Sequence, residues 1–83
     1  MTWLRCTVGR GMLPGEFVVT TRTSGGKEVS LFAQAKFVQE ARGLLAVTVM
    51  ATEAGQSLVA LPAESLETQS KTITVPSNEL VTL

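Results

Sequence analysis

The amino-acid sequence predicts an all-β fold: a small antiparallel barrel of six to seven short strands, in one domain covering residues 1–83. Three observations predict it. Ten valines and eleven threonines supply β-branched side chains, whose stiff χ1 suits a pleated surface. Alternating or wholly apolar stretches recur with reversal signals about every eight to twelve residues, the spacing of a barrel or sandwich. Seven glycines and three prolines stand between these stretches as punctuation, while 45% of the chain is hydrophobic, too much for disorder. With 83 residues there is room for one core, which buries only about 60–65% of the unfolded surface.

The first strand is expected over residues 3–8, where Leu4, Cys6 and Val8 alternate with Trp3, Arg5 and Thr7; the first set points inward. Three glycines and a proline within residues 9–15 then break the ladder and leave Met12 and Leu13 in a loop. A second strand follows at 16–22, with Phe17, Val19 and Thr21 on one face. Thr23-Ser24-Gly25-Gly26 reverses it, because glycine supplies the positive φ that hairpin turns need. Residues 27–33 return as a strand with Val29 and Leu31 inward. Residues 34–42 are built mostly of good helix formers, and Gly43 stands where a glycine ends a helix. That segment reads as a short helix or helical turn; a strand through 36–38 is the alternative.

Two apolar strands, 44–51 and 57–61, come next around a turn at 52–56. One face carries Leu45, Val47, Val49, Val59 and Leu61; the other carries Leu44, Ala46, Met50, Leu58 and Ala60. Pro62 stops the second strand, having no N–H for the ladder. Residues 64–67 and 71–75 read as a further hairpin, with Ile73 and Val75 alternating against Thr72 and Thr74. Pro76-Ser77-Asn78-Glu79 makes one helical turn before a last short strand at 80–83.

The closing stretch Val75-Pro76-Ser77-Asn78-Glu79-Leu80-Val81 resembles the end of Src-homology-3 domains. There a strand runs into Pro-Ser-Asn, makes one tight helical turn and enters the final strand. Proline pre-sets φ for such a turn, and Ser or Asn bonds nearby amides. The resemblance covers about seven of the 83 residues and implies a Src-homology-3-like barrel. The family's Ala-Leu-Tyr-Asp-Tyr signature and its pair of groove tryptophans are absent, and there is no tyrosine. Recognition of proline-rich peptides needs an aromatic-lined groove, so that function is not implied.

The chemistry this chain lacks is informative. It has no His and no Asp, so no Ser-His-Asp arrangement is possible, and a zinc site would have to be built from glutamates and one cysteine. No catalytic residue, metal or cofactor is expected. Gly9-Arg10-Gly11 begins like a phosphate loop, but Pro14 stands where a helix should start. Cys6, the only cysteine, reads as a small core residue between Leu4 and Val8, and its solitude points to a reducing, cytoplasmic compartment. Glu64 and Glu67 read as solvated carboxylates beside a turn. No leader and no apolar run of about 18 residues suggests a membrane.

Two surfaces remain as candidates. Trp3, Arg5, Arg10 and Arg22, with Lys27 nearby, form the only patch suited to stacking a base or holding a phosphate. The formal charge is zero, which argues against nucleic acid as the main partner, although residues 1–42 carry a net +3 and residues 43–83 a net −3. The second surface is the surplus apolar face of the 44–61 hairpin. Only one face of a barrel strand is core, so Leu44, Ala46, Met50, Leu58 and Ala60 form an outer stripe. Segment 34–42, or the loop residues Met12 and Leu13, covers it within the chain, or another subunit does. The expected function is a non-enzymatic interaction or scaffolding module that binds itself, as a dimer, or another protein; a nucleic-acid-binding barrel is the alternative.

Overall fold

The computed structural model describes residues 1–83 and is all-β, with every ladder antiparallel. Nine strands follow in order: β1 (Thr2–Arg5), β2 (Thr7–Arg10), β3 (Glu16–Arg22), β4 (Glu28–Gln34), β5 (Val38–Gln39), β6 (Leu44–Glu53), β7 (Gln56–Ala60), β8 (Thr72–Pro76) and β9 (Leu80–Thr82). They form two sheets. The larger runs β8-β7-β6-β1-β9, with β5 paired to β6; the smaller runs β2-β3-β4. No helix is long and apolar enough to cross a membrane.

The expected first strand is two strands. The chain leaves one sheet after Arg5 and enters the other at Thr7, so Cys6 lies at the crossing, where its N–H donates to the Gly43 carbonyl at 2.9 Å. The Thr21 hydroxyl donates to the Arg5 carbonyl at 3.1 Å beside it. On the opposite side the sheets are tied by single bonds: Ser24 N–H to the Thr74 carbonyl at 2.9 Å, and Leu66 N–H to the Ser30 carbonyl at 2.7 Å. No ladder closes the two sheets into the expected barrel; isolated hydrogen bonds and the core between the sheets join them instead. That core comprises Leu4, Val19, Val29, Leu31, Ala33, Leu45, Val47, Val59, Leu61, Ile73 and Val75, with Cys6, Phe17 and Leu80 packed against it.

The β3–β4 hairpin forms as expected, Gly26 taking φ +81° in its turn. Segment 34–42 forms the expected helical turns, and its short strand lies at Val38–Gln39 and not through 36–38. Two single 3-10 turns, Ala35–Phe37 and Glu40–Arg42, flank β5, which pairs Val38 with Leu45 and Gln39 with Leu44. β-branched Val38 and a neighbouring strand edge break the helix that the flanking residues favour. Gly43 ends the second turn at φ +65°.

The 64–67 and 71–75 hairpin does not form. β8 pairs instead with β7, and residues 61–71 make a loop that docks on β4. Ser65 and Thr68 exchange a hydroxyl hydrogen bond inside it. The Glu67 carboxylate Oε1 accepts the Ser30 N–H at 2.7 Å. Together with Leu66 it satisfies both backbone groups of Ser30 on the outer edge of β4, an edge otherwise open to pairing. At the C-terminus Ser77–Glu79 forms one 3-10 turn and leads into β9, which pairs with β1.

Candidate functional site

The β6–β7 hairpin carries the candidate surface. β6 is ten residues long, about 33 Å at strand rise. It changes partners midway. Its first half lies between β1 and β5, and its second half pairs only with β7. The turn is tighter than expected: Ala54 and Gly55 take φ +54° and +77°, the paired positive angles of a two-residue hairpin turn. The strands accordingly extend to Glu53 and Gln56.

A bulge lies between Val49 and Ala51, so that Ala51 and not Met50 stands opposite Leu58. One extra residue shifts the alternation beyond it. Thr52 therefore shares a row with buried Ser57 and buried Val75, and the Thr52 and Ser57 hydroxyls lie 3.0 Å apart. Ser57 in turn bonds the Ser77 hydroxyl at 2.7 Å. The opposite, outer face holds the rows Thr48–Ala60, Ala51–Leu58–Thr74 and Glu53–Gln56–Pro76.

The predicted outer stripe is divided by the fold. Leu44 is buried, sitting in the row of Arg5 and Gln39. Ala46 and Ala60 are half-buried and line a hollow of about 230 Å³ with Phe37, Thr48, Met1 and Pro62. Met50 is 58% exposed and Leu58 36%. Phe37 of segment 34–42 thus shields the stripe in part, whereas Met12 and Leu13 are exposed. Val49, expected in the core, is exposed at the bulge because β1 ends its pairing at Val47 and no strand lies beyond.

The Trp3 patch is not an open stacking surface. Trp3 stands in the cross-strand row of Ala46 and Val81 and is buried, 9% exposed. Arg5 extends away and its Nη1 donates to the Asn78 carbonyl at 2.9 Å. Arg22 pairs with Glu28 at 3.6 Å on the surface. Because β2, not β1, pairs with β3, Arg10 falls opposite Phe17. That is five residues from Arg22, or about 17 Å along the strand. The four residues named for nucleic acid do not converge on one face.

The lone thiol and the lone clasping carboxylate have opposite environments. Cys6 packs against the core, and burial pushes its pKa up to about 11, far from a nucleophilic thiolate. The Ser30 N–H holds the Glu67 carboxyl below its ordinary value; a bond to the charged form favours it. Glu67 is thus exposed beside a turn, as expected, and in addition clasps a strand edge, a role that only the loop's tertiary path reveals. No protein-family model, curated protein or solved structure matches this chain.

Proposed function

We propose that this protein is a non-enzymatic interaction or scaffolding module that docks through the exposed part of the β6–β7 hairpin, its partner being itself or another protein. The observation that carries this reading is the exposure of Leu58 on the outer face, beside the bulge at Met50. They are 36% and 58% exposed, and Ala51, next to Met50, stands opposite Leu58, whereas exposed apolar residues on a monomer are usually scattered. In the half of the same hairpin nearer β1, Leu44, Leu45 and Val47 are buried, so the exposure further along follows from absent neighbours. The strand, single 3-10 turn and strand at Thr72–Pro76, Ser77–Glu79 and Leu80–Thr82 support a place among Src-homology-3-like small β domains. The single free cysteine supports a cytoplasmic setting.

Photocrosslinking tests the reading. A benzophenone amino acid placed at Leu58 in the cells that make the protein is expected to give a discrete heavier adduct, and the same probe at exposed Thr7 to give none. Equal labelling at both positions, or no adduct at Leu58, refutes it.

A further inference from the structure

We propose that the occupant of this face is a second copy of the chain, docked about a two-fold axis that sets each Leu58 into the Phe37–Ala46–Ala60 hollow of the partner. The inference rests on the hairpin being the interaction surface and goes on to specify what covers it.

The face carries both a knob and a hole. Leu58 alternates with buried Ser57 and Val59, so it projects from the outer side. Ala60 lies two residues along the same strand, about 7 Å away. With Ala46 and Thr48 it floors the hollow of about 230 Å³ that Phe37 walls. Alanine at positions 46 and 60 leaves that space unfilled. A cavity of about 150 Å³ already holds a benzene ring, so the hollow takes a leucine side chain. A knob and a hole one row apart on one surface are self-complementary. An isologous pair satisfies both at once, whereas a foreign partner would need only one of them.

Charge fixes the same arrangement. Lys36 holds its Nζ 5.1 Å from the Phe37 ring centroid, at the hollow end of the face. Glu53 stands in the row beyond Leu58, at the turn end. Neither takes part in an ion pair within the chain, whose single salt bridge is Arg22 with Glu28. A two-fold axis between Leu58 and Ala60 reverses one face on the other and brings each Lys36 to the partner's Glu53. The face is three strands wide, about 15 Å at strand spacing. It is therefore smaller than the roughly 800 Å² per partner of a standard interface, so the pair is expected to dissociate on dilution.

Sedimentation equilibrium of the purified full chain is the test. The mass is expected to rise reversibly from 8.8 kDa toward twice that value as concentration increases. Lys36→Glu or Glu53→Lys alone each turns two attractive contacts into two repulsive ones and weakens the dimer about tenfold; the double swap restores it. Ala60→Leu fills the hollow and abolishes dimerisation while leaving the circular dichroism spectrum unchanged. A single-chain mass at every concentration, or a dimer indifferent to the charge swaps, overturns the inference. If the purified chain stays monomeric while the probe at Leu58 captures a different protein, the hairpin reading stands and the second-copy inference falls. With neither dimer nor adduct, both fall.

Discussion

Gly43→Ala tests how the chain passes between its sheets. Gly43 takes φ +65°, and an added Cβ would lie 2.8 Å from the Cys6 carbonyl oxygen. Two costs follow. The left-handed conformation costs a non-glycine residue about 1–2 kcal/mol. The clash is with backbone, not with a flexible side-chain end, so Cys6 must move off β6 and stretch its 2.9 Å bond to the Gly43 carbonyl, losing about 1 kcal/mol. The expected loss is about 2–3 kcal/mol, against a total stability of roughly 4–12 kcal/mol for a domain of this length.

Gly26→Ala isolates the first cost. Gly26 has φ +81° with nothing within 4 Å of an added Cβ, so it should lose only the conformational term, about 1–2 kcal/mol. Urea denaturation of both variants at matched m-value measures the difference. In thermal melts one kcal/mol corresponds to roughly 6 °C for about 83 residues, so Gly43→Ala should melt about 12–18 °C below the parent. Equal losses for the two variants would refute the close packing of Gly43 on Cys6.

Two further outcomes follow from the titrating groups. Native Cys6 should react with iodoacetamide at pH 8 far more slowly than glutathione does, and unfolding in urea should restore the ordinary rate; fast native alkylation would contradict its burial. Its folded pKa of about 11 lies above the ordinary 9.0, so the unfolded chain ionises first and stability should fall as pH rises from about 9 to 11. Glu67 has the opposite sign. Its depressed pKa means that its stabilising contribution is present above 4.5 and is lost as pH falls through the depressed value. The Ser30 amide resonance should shift with a midpoint below 4.5, and Glu67→Gln should abolish that shift. A midpoint at or above the ordinary value sinks the clasp.

What could be read from sequence was local. The β3–β4 hairpin, the Ile73/Val75 alternation and the Pro76 turn are specified by period and turn chemistry within a few residues. What could not be read depended on partners. Trp3 occupies an alternating strand position on the side opposite Leu4, yet it is buried, because β6 and β9 flank it with Ala46 and Val81. Residues 64–67 are expected as a strand, yet Glu64-Ser65-Leu66-Glu67 holds no β-branched or aromatic residue, and the segment docks on β4 as a loop. The bulge at Met50 left no signal: alanine, methionine and valine suit either register. Of the candidate site, the surplus apolar face was legible as a count of residues, and its division into covered and uncovered parts was not.

That division bears on the association proposed for the chain. The hairpin sheet ends at β8, and this edge is poorly suited to adding a strand. Pro76 offers no N–H, and the Thr74 carbonyl already accepts from Ser24. The outer edge of β4 is closed at Ser30 by Glu67 and Leu66. With ladder extension obstructed at both places, the proposed docking would approach the exposed Leu58 and its neighbouring hollow through side chains, face to face. Contact of that kind discriminates by shape, since a leucine must meet a hollow of matching size. Edge pairing, by contrast, would accept almost any extended chain. The obstructed edges of β8 and β4 and the exposed apolar face are therefore consistent parts of the docking proposed above, in which contact is made by side chains and not by ladder extension at these two edges.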